Sequence, residues 1–88
     1  MPNTQPSEVH ISGYVVQAQP LQVAAITTAI DALAGAEIHG SNDKGKMVLT
    51  LETSKEEDIA ERIIEINSIP GVINTALVYH QIDEETDQ

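Results

Sequence analysis

The sequence predicts an α+β domain with the element order βαββαβ. Three observations carry this: strand and helix periodicities alternate along the chain, turn formers and helix stops separate them, and 88 residues supply one small core and no more. Val9 to Ala18, rich in β-branched residues, is the first strand. Gln19-Pro20 breaks it and can start a helix, because the fixed φ and missing N–H of proline suit a first helical turn. Val23, Ile26, Ile30 and Leu33 recur at helical spacing, and Gly35 stands where a left-handed cap is needed. Ala36 to Gly40 is a short strand, and SNDKG (Ser41 to Gly45) turns it into KMVLTLE (Lys46 to Glu52), a hairpin. Ser54 and Glu57 have the spacing of a capping box, Ile59, Ile63 and Ile66 mark the buried face of the helix it opens, and Glu57, Glu61 and Glu65 mark a solvated one. Ile69 to Gly71, IPG, stops that helix, and Val72 to His80 is the last strand.

This order is the ferredoxin-like one: a four-stranded antiparallel sheet with two helices on one face and the other face open. The expected division is a flexible N-terminus over 1–8, one domain over 9–81 and an acidic C-terminal tail over 82–88. Side chains alternate across a strand, so Met47, Leu49 and Leu51 belong under the helices and Val48, Thr50 and Glu52 on the open face. The same parity assigns Ile11 and Val15 to the helix side and His10, Ser12, Tyr14 and Val16 to the open side. In the last strand it assigns Leu77 and Tyr79 inward and Ala76, Val78 and His80 outward, with a bulge near Asn74 as the feature that would reverse them. An open face carrying Tyr14, Val16, Val48, Ala76 and Val78 is more apolar than water alone requires. Either a ligand or a weak homodimer through the sheet should cover it.

Composition narrows the function by exclusion. Hydrophobic residues make up 41% of the chain without Phe or Trp, so the core is aliphatic, and the absence of cysteine removes disulfides and thiolate metal sites. No apolar run is long enough to span a bilayer, and the opening MPNTQPSE lacks the basic and apolar regions of a signal peptide, so a cytoplasmic chain without membrane insertion is expected. Fourteen acids against four bases give a net charge of −10, which disfavours nucleic acid and suits a basic or apolar partner, solubility being the plainer use of the same charge. His10, His39 and His80 fall in three different strands without ligand spacing, and no cofactor or metal is expected. No nucleophile–base–orienter arrangement is suggested, and NDKGK (Asn42 to Lys46) lacks phosphate-loop spacing, so the chain reads as a non-enzyme.

Taken together, SGYVVQA (Ser12 to Ala18), AEIHGSNDKGKMVLTLE (Ala36 to Glu52), IPGV (Ile69 to Val72) and LVYHQIDEE (Leu77 to Glu85) resemble the NapD family. The likeness spans Val9 to Glu85 and is carried by pattern and spacing, VVQA and LVYHQ being its most specific pieces; Ala34-Gly35 departs from the Pro-Gly that tends to close the first helix in that family. The resemblance implies a cytoplasmic chaperone that binds the twin-arginine signal peptide of NapA, the catalytic subunit of the periplasmic nitrate reductase, and delays export until the molybdenum cofactor is inserted. A peptide with a basic end and an apolar segment calls for an apolar platform beside carboxylates. The residues expected to form it are Tyr14, Val16, Val48, Thr50, Ala76, Val78 and His80, with Glu52, Glu84 and Glu85 for the charge. The competing reading is an ACT-like regulatory domain that binds a small ligand as a homodimer. A chain with no attached enzyme or DNA-binding domain argues against it.

Overall fold

Strand β1 (Ser7–Ala18) lies between β3 (Lys46–Thr53) and β4 (Val72–Glu85), antiparallel to both, and β2 (Ala36–Ser41) adds to the far side of β3, giving the order β2-β3-β1-β4. The structure, a computed structural model, describes residues 7–85, with side chains described over 9–83. A 3-10 turn at Pro20–Gln22 leads from β1 into helix α1 (Val23–Asp31), and helix α2 (Glu56–Asn67) joins β3 to β4. The proline starts the turn and no side-chain cap is made there. This is the ferredoxin-like α+β arrangement that the periodicities predict.

The core lies between the helices and one face of the sheet. Ile26 and Ile30 of α1 and Ile66 of α2 pack with Met47, Leu49 and Leu51 of β3, all fully buried. Val23, Leu33, Ile59 and Ile63 extend the same contact as partly buried residues, so the helical stripes read from the sequence are the ones used. Strand β3 likewise keeps its alternation, with Val48 exposed between Met47 and Leu49.

Strand β1 corrects the expectation. Its register sets Tyr14 opposite Leu49, Val16 opposite Met47 and Ser12 opposite Leu51, and directly paired residues share a face. Tyr14 is therefore 6% exposed and Val16 not exposed at all, both in the core beneath the helices, with His10 and Ser12 buried on the same side. Ile11 and Val15, half-buried, take the open side instead. The reason is that β1 is apolar in both parities. Nothing in IleSerGlyTyrValVal breaks the tie, and only pairing with the strongly alternating β3 does so.

Strand β4 carries two irregularities. Gln17 pairs with Asn74 and Ala18 with Val72, which leaves Ile73 as an extra residue beside Asn74. The second falls between Leu77, opposite Tyr14, and Tyr79, opposite Gly13, and leaves Val78 extra. It is this second bulge that reverses the facing: Ala76 and Val78 lie on the open face as expected, but Tyr79 joins them there and His80, opposite Ser12, turns to the helix side. The strand also runs past His80 to Glu85, with Ile82 opposite His10 and Asp83 opposite Val9, so the acidic segment expected to be loose is strand as far as it is described.

Two local signals had different outcomes. The capping box does not form: α2 begins at Glu56 behind Lys55, without a side-chain cap, and Glu56, Glu57 and Asp58 in its first turn complement the helix dipole instead. Gly35, by contrast, takes φ +82, and a Cβ there would run into the carbonyl oxygen of Glu52, whose N–H donates to the Gly35 carbonyl at 2.8 Å. Gly35→Ala combines a left-handed alanine with a backbone clash. It is expected to cost about 2 kcal/mol, a fall in melting temperature of roughly 10 °C, and thermal denaturation followed by circular dichroism checks it.

Candidate peptide-binding site

The side of the sheet away from the helices presents a shallow apolar depression of about 390 Å³. Val15, Val48, Thr50, Val78 and Tyr79 line it, and Gly13 lies at its floor. Val48 is 45% exposed, Val78 63% and Tyr79 44%, a group of large apolar side chains that the fold itself does not bury. At its edge the bulge between Ile38 and Gly40 brings His39 to the same face, where its Nε2 lies 2.8 Å from the Thr50 hydroxyl.

Strand pairing gives the face a direction. One step beyond Thr50 along β3 comes Glu52, opposite Ile11, which is opposite Gln81 of β4. Glu37 pairs with Thr50 and Asp83 with Val9, so Glu37, Glu52 and Asp83, all exposed, step across this face in three successive rows from the depression towards one end. At the other end Lys46 pairs with Gln17 next to the hairpin turn, where the Asn42 side-chain oxygen accepts from the Lys44 and Lys46 amides at 3.0 Å each. The open face is thus apolar at its centre, with carboxylates towards one end and Lys46 at the other.

Of the residues expected to form the site, Val48, Thr50, Glu52, Ala76 and Val78 share this face. Tyr14 and Val16 do not, since they are core residues beneath the helices. His80 lies on the helix side, its Nε2 3.2 Å from Nδ1 of the buried His10. Glu84 and Glu85 continue β4 opposite Glu8 and Ser7, with side chains outside the described ones. The alternation missed Val15, His39, Tyr79, Glu37 and Asp83. Two separate bulges deliver His39 and Tyr79, and no residue type announces where a bulge will fall. Among the described residues, no three His, Cys, Asp or Glu side chains come together as a metal site, and no helix is long and apolar enough to cross a membrane.

Comparison with known proteins shows the family of the chain. The family model described as NapD protein matches residues 9–84. The chain belongs to the NapD family. Its relatives include the chaperone NapD of Haemophilus influenzae, 36% identical over 77 residues covering 86% of this chain and 83% of that protein. The chaperone NapD of Escherichia coli K12 is 28% identical, covering 89% and 91%. The solution structure of the E. coli Tat proofreading chaperone NapD superposes with a TM-score of 0.77 at 27% identity, over 91% of this chain and 85% of that one. A transcriptional regulatory protein of the AsnC family from Pyrococcus furiosus matches at TM-score 0.59 and 18% identity, over 92% of this chain and 52% of that one, a likeness of fold alone. This member of the NapD family is therefore a chaperone by kinship, and a chaperone acts by holding another protein.

Proposed function

We propose that this chain binds the twin-arginine signal peptide of NapA on its open sheet face, in the cytoplasm, and holds the precursor back from export until the molybdenum cofactor is in place. The carrying observation is the polarity of the face: an apolar depression bordered at one end by Glu37, Glu52 and Asp83, in a family whose E. coli member is a Tat proofreading chaperone. A twin-arginine signal has the complementary polarity, a basic end followed by an apolar stretch. Its guanidinium groups would lie towards the carboxylates of Glu52 and Asp83, and its apolar part would cover Val15, Val48, Ala76 and Val78. Ordering a flexible peptide on a flat sheet lowers affinity below what the contact area suggests, which suits a chaperone that must release its client.

Calorimetry with the signal peptide tests this. Binding is expected without added metal and unchanged by chelator. Replacing both arginines by glutamine should weaken it, and added salt should weaken the arginine peptide more steeply than the glutamine one, because the acidic end attracts charge through screened Coulomb forces. Equal salt slopes would assign the acids to solubility alone, and no binding to the arginine peptide would refute the reading.

A further inference from the structure

Tyr79 is placed on the open face by a departure from regular strand structure. Alternation from Ala76 would carry Val78 outward and Tyr79 under the helices, but the bulge at Val78 puts both on the open side. There the ring packs against Gly13, the residue opposite it on β1, so closely that a Cβ on Gly13 would clash with its Cδ1–Cε1–Cζ edge. One edge of the ring is thus held against the backbone of β1, and the residue is still 44% exposed. Tyr14, the other tyrosine of the chain, is in the core.

We propose that the exposed ring of Tyr79 is the seat of one guanidinium of the bound peptide, with the carboxylates beyond it receiving the other; this rests on the open face being the signal-peptide site. The ring stands at the boundary between the apolar depression and the acidic end. The next row outward holds Gln81, Ile11 and Glu52, about 7 Å further along the strands, and the row after that brings Asp83 opposite Val9. A guanidinium laid on the ring therefore keeps its planar apolar faces against an aromatic surface while its N–H groups turn towards acceptors. That arrangement favours arginine over lysine, whose compact ammonium is more strongly hydrated. An exposed cation–π contact of this kind corresponds to roughly a fivefold gain in affinity, more if the ligand excludes water. The plainer role for such a ring is to cover a strand glycine and steady the sheet. That role makes a separate prediction, lower stability with no discrimination between peptides.

The test titrates wild type, Tyr79→Phe and Tyr79→Leu with three signal peptides that carry arginine, lysine or glutamine at the twin positions, alongside the melting temperature of each protein. The expected result is that Tyr79→Phe binds the arginine peptide as wild type does. Tyr79→Leu should lose roughly fivefold for that peptide, less for lysine and nothing for glutamine. An equal loss for all three peptides, or none for any, overturns the assignment while leaving the peptide site standing. Failure of wild type to bind any of them overturns both. Should Tyr79→Leu not fold, the wild-type complex still decides. Arginine δ-methylene protons stacked on the only exposed tyrosine among the described residues must shift upfield in its ring current, and unshifted protons refute the contact.

Discussion

Val16→Glu is expected to leave no stable folded domain, although alternation within β1 alone would have made it a surface substitution. Val16 is fully buried opposite Met47 and packed beneath the helices, where a carboxylate finds no cation and no solvent. Burying a charge without a partner, together with the lost packing, costs upward of about 4 kcal/mol. The whole stability of a domain this size is of order 5–10 kcal/mol. Leu49→Glu, at the middle of β3, should behave the same way for the same reason. Val15→Glu, one residue away and on the open face, should melt close to wild type. Far-ultraviolet circular dichroism and a thermal or guanidinium melt of the three variants decide it. A folded Val16→Glu with an unfolded Val15→Glu would mean that the facing of β1 is the reverse of the one described.

Val48→Glu is expected to separate binding from stability. The side chain is 45% exposed between two buried neighbours, so a carboxylate there stays hydrated in the free protein, and the melting temperature should move by little. In the complex the same position would be covered by the apolar part of the peptide, and the carboxylate would have to be desolvated with nothing to pair it. A loss of about 2 kcal/mol is reasonable for a central contact, roughly thirtyfold in affinity. The measurement is paired: a melt of the free variant, then calorimetric titration with the signal peptide. Normal binding by a normally folded Val48→Glu would remove the open face as the peptide site and send the search to the helices or the free edge of β4.

What the sequence determined by itself is what is written in local periodicity and local turn chemistry. The helical stripe Val23, Ile26, Ile30, the strict alternation of Met47 to Leu51, the turn formers from Ser41 to Gly45 and the left-handed position at Gly35 each point to one answer, because the competing conformation would expose apolar surface or force a side chain into positive φ. The order βαββαβ, and with it the open face, follows from these. So does the placing of Val48, Thr50 and Glu52, since the other parity of β3, Met47, Leu49 and Leu51, is the one that is apolar throughout. The facing of β1 was not legible, because Tyr14, Val15 and Val16 are apolar in succession and either parity would bury a reasonable face. Only the register that sets Tyr14 against Leu49 and Val16 against Met47 chooses between them, and register is a property of two strands. The same holds more strongly for Tyr79 and His39, which reach the open face through bulges whose positions depend on how β4 and β2 must bend to stay paired with their neighbours. The acidic end was half legible: the charges are in the sequence, but Glu37, Glu52 and Asp83 come from three strands. Their placement on one face towards one end exists only once those strands are laid side by side, where cross-strand spacing rather than chain distance decides which charges share a surface.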